Sequence, residues 1–187
     1  MKILTHLATG AAAVACLSLA SPGISQAATA RPTSTSPTTT AAVTSATTTP
    51  ACANRDLLVS FRYQDAGAGS AYGRIRIKNV SGHPCHTGGY GGVSYVGNGD
   101  GTQIGHAAIR ESGTVRSFVL KPGNHLVSEL RMQNREVYSR SECRPKKVDG
   151  FRIYVPNAVK SQFVAYRTSG CRVKKVHLLH QQPYRRP

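Results

Sequence analysis

Basic side chains at alternate positions are the residues of this chain best placed to bind a partner. Arg74, Arg76 and Lys78 alternate with Ile75 and Ile77. This period of two is typical of a half-buried β-strand, which turns the isoleucines inward and the three cations outward. Clustered cations attract polyanions, and a second basic pair lies near the end of the chain. The predicted polyanion-binding residues are Arg74, Arg76, Lys78, Lys174 and Lys175.

Histidine and cysteine residues that could bind a metal occur in two places. His83, Cys85 and His86 lie close together in the chain, and His177 and His180 are three positions apart. Transition metals favour these ligands, but positions three apart on a strand point to opposite faces of a sheet. Oxidation of Cys85 to a disulfide would also remove its thiolate. We therefore predict no metal site and no cofactor.

The side chains needed for catalysis are present, but no pattern brings them together. A nucleophilic serine needs a base and an orienting acid in contact with it. No strand–turn–helix elbow surrounds any serine of this chain, and its eight Asp and Glu residues are scattered singly. The sequence therefore predicts a protein that is not an enzyme. The alternative is a secreted hydrolase or metal-binding protein whose site lies on loops.

The overall charge narrows the class of partner. The chain has 24 Lys and Arg residues against 8 Asp and Glu, a net charge of +16. Such a balance suits anionic cell-wall or surface polymers, such as teichoic acid or acidic polysaccharide, and anionic lipid headgroups. Nucleic acid is not expected, because the chain has no Trp for base stacking and begins with an export signal. The alternative is a basic surface that serves only solubility.

The first 27 residues have the layout of a secretory signal peptide. Lys2 precedes an apolar run that is broken at Pro22, and small residues follow at 25–27. The run is too short to span a bilayer, and no later segment is a transmembrane candidate. We expect export, with the protein either free outside the cell or associated with the wall. Lipid anchoring through Cys16 is not expected, because the apolar run continues beyond it.

Residues 28–50 predict a disordered linker. They are almost entirely Thr, Ser, Ala and Pro, and such a segment cannot bury enough apolar area to offset its conformational entropy. We interpret it as a flexible tether that separates the folded domain from a wall or membrane.

Four cysteines remain after the signal peptide, and in an exported chain an even number indicates disulfides. They are Cys52, Cys85, Cys143 and Cys171. Four cysteines allow three pairings. We favour the pairs 52–85 and 143–171, because each closes a local loop, and each would add about 3.5–4 kcal/mol of stability by chain entropy.

Residues 51–182 predict one antiparallel β-sandwich of eight or nine short strands, followed by a basic tail at 183–187. No segment shows a sustained helical period, and turn signals recur at short intervals. An up-and-down barrel is the alternative. Residues 79–82 are expected to turn through positive backbone angles, and residues 104–109 and 172–180 are each expected to form one strand. In the last of these, Val176 and Leu178 are expected to face inward.

Several short motifs follow one another in the chain: Asn79-x-Ser81-Gly82-x-x-Cys85, Gly89-Tyr90-x-Gly92-Val93, Leu120-x-Pro122-Gly123, Cys143-x-Pro145 and Val155-Pro156. Their order resembles that of a family of secreted actinobacterial domains of unknown function, DUF4232. The chain departs from the usual pattern at Gly91, where the family commonly has proline. The resemblance implies an immunoglobulin-like β-sandwich with the two local disulfides, and it brings no activity and no catalytic residues.

Overall fold

The structure, a computed structural model, describes residues 48–187. The predicted signal peptide, Cys16 and linker residues 28–47 lie outside the described residues. The strands are β1 (Leu57–Gly67), β2 (Ser70–Asn79), β3 (Cys85–Gly88), β4 (Gly92–Gly97), β5 (Thr102–Ile104), β6 (Ile109–Arg110), β7 (Ser117–Leu120), β8 (His125–Gln133), β9 (Pro145–Tyr154), β10 (Gln162–Cys171) and β11 (Leu179–Gln181). The helices are α1 (Arg140–Cys143) and the 3-10 turns Asn54–Asp56 and Arg135–Val137. The predicted all-β class is confirmed.

The strands form two larger sheets and one small one. A five-stranded sheet has the order β1-β2-β8-β11-β6, and a four-stranded sheet has the order β10-β9-β4-β5. The small sheet pairs β3 with β7. Neighbours are antiparallel except for β11 and β6, which run parallel. This order places β2 between β1 and β8, so its outward side chains have neighbours on both sides.

The inner faces of the two larger sheets share one hydrophobic core. Ile75 and Ile77 of β2 are both 0% exposed, as the alternating pattern predicts, and so are Phe151 and Ile153 of β9. The ring of Phe61, on β1, lies 4.9 Å from the ring of Phe151, centroid to centroid, so aromatic contacts join the two sheets. Alternate residues of each strand face this core and are mostly apolar. The residues between them, on the outer faces, can therefore differ in charge and polarity.

The turn after β2 is stabilised by side-chain hydrogen bonds rather than by left-handed backbone. The Oδ1 of Asn79 accepts from the backbone N and the hydroxyl of Ser81, and its Nδ2 donates to the carbonyls of His83 and Leu120. None of residues 79–82 has a positive φ, so that expectation was wrong. Asn79 is fully buried, and its amide replaces the backbone partners that the turn would otherwise leave unpaired.

Both favoured disulfides are present. Cys52 bonds to Cys85, with Cα atoms 4.9 Å apart, and Cys143 bonds to Cys171, with Cα atoms 4.5 Å apart. Two disulfides are typical of proteins in an oxidising compartment. Within residues 48–187, no helix is long and apolar enough to cross a membrane.

Two predicted strands are interrupted. Residues 104–109 divide between β5 and β6, which belong to different sheets. Gly105 makes this crossing in a left-handed conformation (φ 71°), and a Cβ there would lie 2.3 Å from the carbonyl oxygen of Cys171. Residues 172–180 contain a turn at 174–175, and only the last two belong to β11. Val176 and Leu178 are nonetheless buried, as predicted.

The C-terminal segment is part of the fold rather than a tail. Tyr184 is only 1% exposed, and its backbone N donates to the carbonyl of Gly89. Arg185 exchanges two backbone hydrogen bonds with Val127 of β8. The ordered chain therefore extends beyond residue 182 and continues the five-stranded sheet along β8.

Candidate polyanion-binding face

The three cations of β2 lie together on the outer face of the five-stranded sheet. Arg74 and Lys78 flank Arg76 at alternate positions, and all three remain at least partly exposed. The predicted alternation of these cations with buried isoleucines is therefore confirmed. Side chains two positions apart on a strand are separated by about 6.5–7 Å, so these charges form a row.

Neighbouring strands and the C-terminal segment add cations to this row. Arg62 of β1 lies directly opposite Arg74, and Arg131 of β8 lies opposite Tyr72. Arg185 lies opposite Val127, on the same face. We call this surface the cationic face; its cations are Arg62, Arg74, Arg76, Lys78, Arg131 and Arg185.

Half of these cations are held by two carboxylates. Glu129 accepts from the guanidinium of Arg185 at 2.6 Å and forms a second ion pair with Arg74 at 3.6 Å. Glu111 accepts from Arg131 at 2.9 Å. The hydrogen bond from Arg131, and a further one from the side chain of Gln182 at 2.7 Å, keep the pKa of Glu111 below its usual value. Arg74, Arg131 and Arg185 are the paired cations.

The other half have no carboxylate partner among residues 48–187. Arg62, Arg76 and Lys78 form no ion pair in this part of the chain, and we call them the unpaired cations. They lie on β1 and β2 around the paired Arg74, which is directly opposite Arg62 and two residues from Arg76. An anion that reached these side chains would not have to displace a carboxylate.

His125 on β8 lies beside two of the unpaired cations. A guanidinium nitrogen of Arg76 is 3.3 Å from its Nδ1, and Lys78 is directly opposite in the strand register. Since arginine can only donate, this Nδ1 must be the unprotonated acceptor. Desolvation, and then the charges of Arg76 and Lys78, lower the pKa of His125. The imidazole is therefore neutral near pH 7, and an anion placed here would favour its protonation.

The second predicted basic pair lies elsewhere. Lys174 and Lys175 occupy an exposed turn between β10 and β11, three and four residues after Cys171. Lys175 lines a cavity of about 530 Å³ together with Glu142 and Arg144. No lining residue of that cavity belongs to the cationic face. The structure does not bring these two lysines next to the cations of β2.

The histidines flanking Cys85 are exposed. The Nδ1 of His86 lies 2.8 Å from the carbonyl oxygen of Thr49, and the backbone N of His86 donates to Pro50. His86 therefore ties Thr49 and Pro50, the last two residues of the predicted linker, to β3. Among residues 48–187, no three His, Cys, Asp or Glu side chains converge in a way that could hold a metal ion.

Sequence comparison identifies the family. Residues 52–184, well over half of the chain, match the model of a domain of unknown function, DUF4232. The chain belongs to the DUF4232 family. No curated protein and no solved structure matches it.

The residues that carry the DUF4232 resemblance have structural roles in this chain. Asn79 and Ser81 build the turn after β2, Cys85 anchors β3 to Cys52, and Gly89 pairs with Tyr184. None of the matching motifs contains a cation of the cationic face. Membership of DUF4232 therefore accounts for the scaffold, and the charges have to be explained from this chain alone.

Sequence reasoning missed three cations of the face and both carboxylates that hold its paired half. Arg62 follows the apolar alternation of β1 and could have been found by extending the β2 argument to that strand. No local pattern in the sequence identifies Arg131, Glu129 and Glu111 as part of the face. Their distance from the cations of β2 depends on which strands become neighbours in the sheet. Arg185 was assigned to a tail.

Proposed function

We propose that this DUF4232 domain is a non-enzymatic module that works outside the cell and binds anionic wall or surface polymers through its cationic face. In this proposal residues 1–27 direct export and the following linker holds the domain away from its attachment point. The scaffold is an immunoglobulin-like β-sandwich, the arrangement that the family resemblance implies. The observation that carries the proposal is the set of unpaired cations, Arg62, Arg76 and Lys78, on two adjacent strands.

The geometry of these cations suits a repeating anion better than a single one. Neighbouring strands are about 4.8 Å apart, and alternate residues along a strand about 6.5–7 Å apart. A polymer with a charge on every unit can therefore meet several cations at once. Each exposed contact contributes only about 0–1 kcal/mol, so a monomeric anion should bind weakly. Joined units bind more tightly, because each later contact forms within the same complex.

The test is sedimentation of the purified protein with purified bacterial cell wall at graded salt. Wild type should be retained at low salt and released as salt rises, because the contacts are screened. The variant Arg62→Gln/Arg76→Gln/Lys78→Gln should lose at least about tenfold in affinity, the equivalent of about 1.4 kcal/mol.

A matched variant removes the same charge from residues on or beside the four-stranded sheet. Lys147→Gln/Lys160→Gln/Arg167→Gln replaces three exposed cations there. If the location of the cations matters, the affinity of this variant for the cell wall should lie within about twofold of wild type. If net charge alone drives binding, the two variants should lose equal affinity. Equal loss, or no retention of wild type at low salt, would contradict the proposal.

A further inference from the structure

Three cavities lie beside the outer face of the five-stranded sheet, β7 and the C-terminal segment, and each shares a lining residue with the next. We call the three together the groove. A cavity of about 240 Å³ beside Tyr72 and Arg74 shares Glu129 with a cavity of about 510 Å³ that is lined by Phe118, Arg116 and the C-terminal segment. The second shares Arg186 with a third cavity of about 350 Å³ beside His125. A ligand that contacts all three cavities has to be chain-like rather than compact.

Aromatic rings lie at two points of this groove. Tyr72 is 41% exposed and lines the first cavity. Phe118 is half-buried and lines the second, with the guanidinium of Arg186 5.8 Å from its ring centroid. Flat apolar ring faces pack against the apolar faces of other rings, whereas a ring-free polyphosphate offers them nothing to contact.

The polar lining of the groove contains both cations and a carboxylate. Arg116 and Arg186 have no carboxylate partner among the described residues, so they can meet an acidic group. Glu129 has its charge compensated by Arg74 and Arg185, which leaves a carboxylate that can accept hydroxyl hydrogen bonds. A carboxylate would oppose a ligand made only of phosphates, but it suits one that is rich in hydroxyls.

We propose that the ligand of this groove is an acidic polysaccharide, whose sugar rings contact Tyr72 and Phe118 while its acidic groups meet Arg116 and Arg186. The inference rests on the proposed function and names the class of polymer. It also gives the C-terminal segment a role, since Arg185 and Arg186 form one wall of the groove.

The test compares two probes, a polyuronate and linear inorganic polyphosphate, by calorimetry on the full purified chain at low salt. Tyr72→Leu and Phe118→Leu remove the rings but keep apolar volume. Each should weaken polyuronate binding by about tenfold and change polyphosphate binding by less than about twofold. Phe163→Leu, which removes an exposed ring from the other large sheet, is the control and should bind both polymers as wild type does. Thermal melting of every variant checks that the fold is retained.

Two outcomes separate this inference from the function on which it rests. If both leucine variants bind both polymers as wild type does, or lose both equally, the polysaccharide inference is overturned while polyanion binding stands. If wild type binds neither polymer at low salt, the proposed function fails and the inference fails with it.

Discussion

The outer faces of the two larger sheets differ, although both sheets build the same core. The five-stranded sheet presents six cations and two carboxylates that neutralise half of them. The four-stranded sheet presents Phe163, 60% exposed, over Gly150, and a cavity of about 410 Å³ beside Val96 and Asp149. The core constrains one residue in two on each strand, so the difference lies in residues that the fold does not require.

Net charge alone therefore does not indicate which surface of this protein would bind a polyanion. Cations also occur on the four-stranded sheet, including Lys147 and Arg152. Arg152, however, donates to the Oε1 of Gln103 at 2.7 Å and lies between Ser94 and Phe163 in the strand register. On the five-stranded sheet, Arg62 and Arg74 lie directly opposite each other and Arg76 and Lys78 follow along β2, so that one polymer can contact them together.

Charge reversal should separate the two faces most strongly. Arg62→Glu/Arg76→Glu/Lys78→Glu should weaken polyphosphate binding by at least about a hundredfold, because carboxylates would repel the polymer at the contact itself. Lys147→Glu/Lys160→Glu/Arg167→Glu changes the net charge equally and should cost no more than about threefold, through long-range attraction alone. Fluorescence titration at fixed ionic strength measures both. Equal losses of affinity in the two variants would show that the position of the cations does not matter.

Gly150→Ala should destabilise the four-stranded sheet without changing the affinity for a polyanion. A Cβ at this position would lie 2.3 Å from the carbonyl oxygen of Val164 and 2.8 Å from the ring of Phe163. We expect a loss of about 1–3 kcal/mol in the free energy of unfolding, by denaturant titration. Gly67→Ala on β1, where a Cβ would meet no atom within 4 Å, is the control and should change stability by less than about 0.5 kcal/mol. If folded Gly150→Ala bound the polymer with altered affinity, binding would depend on the four-stranded sheet as well as on the cationic face.

Within the cationic face, Glu129→Gln should tighten polyphosphate binding. The change releases Arg74 and Arg185 from their shared carboxylate and raises the local charge. We expect a gain of about threefold in affinity and a loss of at most about 1 kcal/mol in stability, since the ion pairs are half-exposed. Glu136→Gln, which removes an exposed carboxylate from the 3-10 turn at 135–137, serves as the control. Weaker binding by Glu129→Gln would mean that the paired arrangement itself recognises the polymer.

Acidification should act on binding and stability in opposite directions through His125. Its pKa is lowered in the folded protein, so the unfolded chain takes up more protons and stability falls as pH drops below about 6.5. A bound polyanion favours the protonated imidazole of His125. The affinity for the polymer should therefore rise about two- to threefold as the pH falls from 7.5 to 5.5.

His125→Gln isolates this effect from other groups whose protonation changes in the same range. His180, beside Arg131 and Glu111, also has a lowered pKa, and it should contribute equally to both proteins. Polyphosphate affinity and melting temperature at matched ionic strength supply the comparison. An unchanged pH dependence of affinity in His125→Gln would exclude the histidine from the binding face.

The sequence predicted what depends on local pattern. The alternation around Ile75 was sufficient to assign the core side of β2 and the outward direction of its cations. Loop closure was sufficient to favour the two disulfides. Strand neighbours, in contrast, are set by long-range register, so neither the placement of Arg62 opposite Arg74 nor the position of Glu129 between two arginines could be predicted. Tyr184 was missed because it follows a proline and has no alternating neighbours to signal burial.

The most direct test of the cationic face is an amide chemical-shift map of the protein titrated with a short polyphosphate. We expect the largest shifts on β1, β2 and β8 and on residues 182–186, and we expect them to diminish as salt is added. Shifts centred on β9 and β10, or spread evenly over every basic segment, would contradict it.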